Sequence, residues 1–86
     1  MILYHGTDIK NLESILKFGL LPKHQIWCSY LSSEIETCKH YGNLILEIDV
    51  SNLNLTAFPE YLENGEEVLC WDKILPNRII SFKTYD

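Results

Sequence analysis

Leu44, Leu46, Ile48 and Val50 fall on alternate positions with Glu47 and Asp49 on the opposite ones, a period-two pattern that predicts a half-buried strand. Upstream the period changes. Ile9, Leu12, Ile15, Leu16 and Phe18 follow a helical repeat, and Asp8 stands where a helix cap is needed. Gly19 closes that run where a left-handed residue is called for, Leu20 supplies the hydrophobic contact just beyond, and Pro22 forbids resumption. Ile2-Leu3-Tyr4-His5 is a short apolar strand ending in Gly6, and residues 25–31, holding Ile26, Trp27, Tyr30 and Leu31, predict a second. Ser33 and Glu36 fit a capping box that opens a helix reaching His40 or Tyr41 and ending at Gly42. Residues 51–65 read as mostly irregular, with Pro59 and Asn64-Gly65 as breakers and one turn of helix around 60–62. Residues 67–71 and 79–84 are two more strands, separated by Leu75-Pro76-Asn77. Strand, helix, strand, helix and then strands alone is the order of an α+β domain, with helices on a twisted, mainly antiparallel sheet.

Composition fits that picture and narrows it. Eighty-six residues allow a single domain spanning 1–86, with 47% hydrophobic and 22% charged residues, so the chain can bury one core and is not disordered. The net charge is −5, and Arg78 is the only arginine, which argues against a dedicated duplex-DNA or RNA binder. The longest uncharged runs are about ten residues, too short to span a bilayer, and no signal peptide is visible. Cys28, Cys38 and Cys70 show no C-x-x-C spacing and read as small buried hydrophobes. A reduced, cytoplasmic protein is expected.

Three polar points stand out. His5-Gly6-Thr7 lies between a strand and a helix, where Gly6 is either a turn glycine or a place where a ligand approaches the backbone. Tyr30-Leu31-Ser32-Ser33 ends a strand and opens a helix, and Tyr41 on the last turn of that helix adds a second aromatic wall. Glu66-Glu67 stands directly before an apolar strand, as a solvated strand end or an acidic site.

Taken in order, these segments resemble the ADP-ribosyltransferase superfamily. Leu3-Tyr4-His5-Gly6-Thr7 is similar to its H-G-[ST] strand, and Ile15-Leu16-Lys17-Phe18-Gly19-Leu20-Leu21-Pro22 to the helix that follows. Tyr30-Leu31-Ser32, with Cys38 and Tyr41 beyond, looks like the second motif, Glu67 like the late-strand glutamate, and residues 74–80 like an I-P-P-x-x-I ending. The resemblance implies the histidine–tyrosine–glutamate branch and a split β-sandwich of two small, mainly antiparallel sheets with two helices.

It also implies NAD as a substrate whose nicotinamide–ribose bond is broken. Nicotinamide leaves as a neutral base, so positive charge develops on the ribose, where a carboxylate stabilises it. Glu67, or Glu66, takes that catalytic role. His5 binds the adenosine-side ribose, Gly6 meets the carboxamide through its backbone, Tyr30 or Tyr41 stacks on nicotinamide, and Thr7 and Ser32 are supporting hydroxyls; no metal is called for. One branch of the superfamily transfers a 2′-phosphate from RNA onto NAD, and the scarcity of arginine disfavours it here. The expectation is therefore mono-ADP-ribosylation of a macromolecule, a host protein before a nucleic acid, in the manner of toxin-like phage or mobile-element enzymes, among them anti-CRISPR transferases. The alternative is an inactive binding module or inhibitor of the same fold that sequesters a nucleotide or docks on a protein.

Overall fold

The computed structural model describes residues 1–20, 29–58 and 67–85. Among them the chain runs β1 (Ile2–Thr7), a 3₁₀ turn (Ile9–Asn11), α1 (Leu12–Phe18), β2 (Ser29–Ser32), α2 (Ile35–Cys38), a second 3₁₀ turn (Lys39–Tyr41) and β3 (Leu44–Asp49). Then follow β4 (Leu55–Phe58), β5 (Glu67–Cys70), a third 3₁₀ turn (Pro76–Arg78) and β6 (Ile79–Thr84). The α+β class is as expected. The six described strands form one sheet, every neighbouring pair antiparallel, in the order β4-β5-β2-β1-β3-β6.

The expectation of two sheets is corrected by a single contact. β1 pairs with β3 along its whole length, from Ile2 opposite Asp49 to Thr7 opposite Leu44, but meets β2 only where Tyr4 lies opposite Ser32. That one pair joins the halves β4-β5-β2 and β1-β3-β6, because backbone donors and acceptors brought together inside a domain pair rather than stay apart.

The core lies on one face of this sheet. Leu44, Leu46 and Ile48 of β3 are fully buried, with Leu3 opposite Ile48 and with Leu31, Val68 and Cys70 from the other half. Ile15 of α1 and the chain around Leu20 and Ile74 cover it. The alternation read in β3 holds, except that Ile45 on the second face is buried as well. It lies opposite Gly6, the residue on which the end of α2 packs.

Local signals explain most boundaries. Asp8 accepts a hydrogen bond from the Lys10 N–H at 2.9 Å, as a cap should. Gly19 sits at φ 82° and ψ −168°, a region open essentially to glycine alone, and Leu20 and Ile74 exchange backbone hydrogen bonds of 2.8 and 2.9 Å. The apolar stripe of the first helix is only partly used. Ile15 is buried and Leu12 packs on the core, but Ile9, Leu16 and Phe18 are about half exposed. The first turn is 3₁₀, with three residues per turn, so the 3.6-residue repeat that would align Ile9 with the core does not hold there.

The Ser33–Glu36 capping box does not form. Glu34 is the N-cap of α2 and makes no side-chain cap bond, while buried Ser32 accepts from the Glu34 N–H at 3.0 Å. β4, within the stretch read as irregular, pairs with β5 from Leu55 opposite Cys70 to Phe58 opposite Glu67. The 60–62 turn, the 25–28 part of the second strand and Cys28 lie outside the described residues. Cys38 and Cys70 are buried, and among the described residues no helix is long and apolar enough to cross a membrane.

Candidate functional site

His5 and Tyr41 each contact Tyr30 of β2, the first at its backbone and the second at its ring. The His5 ring reaches across the strands, with Nδ1 2.7 Å from the Tyr30 carbonyl oxygen. A carbonyl only accepts, so Nδ1 carries the proton, and in the neutral ring Nε2 is then the acceptor nitrogen. The Tyr30 ring lies parallel to that of Tyr41, with centroids 6.0 Å apart and planes 8° from coplanar. Tyr41 ends the 3₁₀ turn that prolongs α2 and is half exposed. Tyr30 and Tyr41 thus form a parallel pair of phenol rings, and His5 is joined to the same strand through the Tyr30 backbone.

The other candidates are placed by the backbone around this group. An added Cβ on Gly6 would lie 1.9 Å from the Cys38 carbonyl oxygen, and the Cys38 thiol donates to the Tyr4 carbonyl at 3.3 Å. Glycine at position 6 is thereby accounted for by the close approach of α2. Thr7 Oγ1 accepts from the Asn11 side chain at 2.9 Å, and Ser32 Oγ accepts from the Glu34 N–H, so each hydroxyl has a partner close by in the chain. Glu67 heads β5 opposite Ser32, which in turn lies opposite Tyr4, bringing the three into register across three strands. Glu66 lies outside the described residues.

Two features were not legible in sequence. Arg78 donates from Nη1 to the Ser51 carbonyl at 2.6 Å, so the lone guanidinium holds the end of β3 against the third 3₁₀ turn. Lys39 and Lys83 both place Nζ near the Tyr85 ring, at 4.5 and 5.1 Å from its centroid. No local pattern announces a meeting of residues so far apart in the chain. Among the described residues, no group of three or more His, Cys, Asp or Glu could hold a metal ion.

No protein-family model matches the chain. A probable RNA 2′-phosphotransferase of Fusobacterium nucleatum is 38% identical over 94% of this chain and 47% of its own length. One from Thermococcus kodakarensis is 34% identical over 90% of this chain and 45% of its own, and one from Pseudomonas fluorescens 35% identical over 74% and 38%. The chain is similar to probable RNA 2′-phosphotransferases. It spans about half the length of the curated relatives it matches, or less.

These relatives overturn the assignment to the histidine–tyrosine–glutamate branch of the ADP-ribosyltransferase superfamily. With it go mono-ADP-ribosylation of a host protein, the phage, toxin and anti-CRISPR context, and the alternative of an inactive module or inhibitor. Preference for a protein target over nucleic acid loses its support as well. The physical reason lies in what the motifs report. Gly6 is fixed by Cys38 and Gly19 by Ile74, so H-G-T and G-L-x-P record backbone packing and carry no information about the acceptor. The arginine count failed for a related reason: the one arginine is bound to main-chain carbonyls, and whole-chain charge does not locate a phosphate site.

Proposed function

We propose that this chain acts in an NAD-dependent RNA 2′-phosphotransferase reaction, in which a 2′-phosphate is removed from RNA and NAD is the accepting co-substrate. The similarity to probable RNA 2′-phosphotransferases over 94% of the chain carries this reading, and the His5–Tyr30–Tyr41 group supports it. Its parts suit the two ends of NAD that need recognition. In this reading the parallel tyrosine rings stack with the planar nicotinamide, and His5, held to the Tyr30 carbonyl through Nδ1, belongs to the ribose end of the site.

Loss of nicotinamide leaves positive charge on the ribose carbon, and a phosphate oxygen of the RNA, already anionic, attacks it without a general base, giving a phosphodiester that bridges RNA and ADP-ribose. The neighbouring ribose hydroxyl then attacks the phosphorus and closes a cyclic phosphate on the ADP-ribose, while the P–O bond to the RNA breaks and the RNA 2′-oxygen leaves as a hydroxyl with the proton that the attacking hydroxyl gives up. Glu67 at the head of β5, or Glu66 beside it, stabilises the developing charge. The backbone of Gly6 is the proposed partner of the carboxamide, with Thr7 and Ser32 holding the surrounding chain.

The test uses an oligonucleotide with one internal 2′-phosphate, incubated with the protein and NAD. Mass spectrometry should show loss of the 2′-phosphate together with release of nicotinamide, and neither without NAD. Tyr41→Ala and His5→Ala should raise the KM for NAD about tenfold with a smaller change in kcat, since contacts made before and after bond cleavage act on binding. Glu67→Gln should lower kcat about 10²-fold. An unchanged oligonucleotide in the presence of millimolar NAD overturns the reading.

A further inference from the structure

Two ammonium groups converge on one ring in a chain whose net charge is −5. Lys39 Nζ is 4.5 Å and Lys83 Nζ 5.1 Å from the centroid of Tyr85, and the Tyr85 N–H is tied to the Asn43 carbonyl at 2.7 Å. The ring attracts both cations through its quadrupole, while the cations repel each other. Among the described residues only Lys39 has a carboxylate partner. Glu36 lies 2.9 Å from Lys39 Nζ, but its side chain is 81% exposed, and an ion pair so solvated exchanges readily for another anion. The nearby Glu47 carboxylate accepts from the Ser81 hydroxyl at 2.7 Å. Elsewhere among the described residues a lysine lies over a ring only where Lys17 meets Phe18. Tyr85 alone gathers two.

The place of this cluster matters as much as its charge. Lys39 belongs to the same 3₁₀ turn as Tyr41, two residues before the ring that stacks on Tyr30. Arg78, the other obvious phosphate ligand, is held by the Ser51 carbonyl. Resting on the function proposed above, we infer that Lys39, Lys83 and Tyr85 form the platform that binds the RNA strand beside the NAD-binding group. The ammoniums pair with backbone phosphates flanking the 2′-phosphorylated nucleotide, and the ring they leave takes an unstacked base. Cations with an aromatic surface are what single-stranded nucleic acid requires, and lysine holds phosphate as a point charge where no arginine is available.

Fluorescence anisotropy of a labelled single-stranded RNA carrying one internal 2′-phosphate tests this across a salt series. Lys39→Gln/Lys83→Gln should weaken binding at least tenfold and reduce the log–log salt slope by about 1.4, two contacts at roughly 0.7 each. Lys17→Gln/Lys73→Gln, with the same change in net charge, should stay within about twofold of wild type. Tyr85→Leu should weaken binding with no change in slope. Melting curves with and without NAD show that each variant folds and keeps the cofactor group. Equal losses in the two lysine pairs, or none in the first, overturn the platform even if wild type removes the 2′-phosphate. A specific loss in the first pair with no phosphate removal by wild type retains the platform and refutes the reaction. Wild type that binds no RNA at low salt overturns both.

Discussion

At the scale of single residues, position 6 separates two meanings of a glycine. A Cβ there would lie 1.9 Å from the Cys38 carbonyl oxygen and 2.7 Å from its carbon, backbone atoms that cannot rotate away. Gly6→Ala should therefore lower the urea midpoint by the equivalent of about 1–3 kcal/mol, with an unchanged denaturant slope. A variant of wild-type stability that has lost NAD binding would instead assign the glycine to ligand approach. His5 shows the complementary case. Its residue type suggested a hydroxyl partner from the sequence, but the protonated nitrogen followed only once the ring lay 2.7 Å from the Tyr30 carbonyl.

At the scale of elements, the end of β3 is tied down by a small polar knot. Asp49 Oδ1 accepts from the Ser51 hydroxyl at 2.6 Å and the Ser51 N–H at 3.0 Å, while Arg78 bonds the Ser51 carbonyl. The hydroxyl, then the N–H, hold the Asp49 carboxyl below its ordinary value, with smaller Coulombic help from the Met1 amine and Arg78. A depressed carboxylate contributes stability above its unfolded pKa and loses it as pH falls through the folded one. Ser51→Ala should thus melt below wild type at pH 6–7, and the gap should close as pH drops below about 4. A gap of constant size would remove the Asp49–Ser51 bond as its source. β6, with bounds legible in sequence, and β4, with none, show where element reading stops. Apolar residues and the preceding proline turn announce 79–84, whereas Leu55-Thr56-Ala57-Phe58 becomes a strand by pairing with β5 and by the bond from Trp71 Nε1 to Thr56 Oγ1 at 2.9 Å.

At the scale of the whole molecule, β3 is the best-supported strand, flanked by β1 along its full length and by β6 on the other side. Its amides should exchange slowest with solvent and those of edge strand β4 much faster, and Leu46→Ala should cost about 2–5 kcal/mol, a large part of a small domain's stability. Comparable protection in β3 and β4 would contradict this ranking. The sequence by itself determined the alternation of β3, the stop at Gly19, the cap at Asp8 and the α+β class, because each rests on local periodicity or backbone sterics. Tertiary structure alone decided that one sheet forms through Tyr4 and Ser32, that Gly6 faces Cys38, that Arg78 is held by carbonyls and that two lysines meet at Tyr85. Those outcomes depend on which distant segments the fold brings together, and no local pattern in the chain encodes that choice.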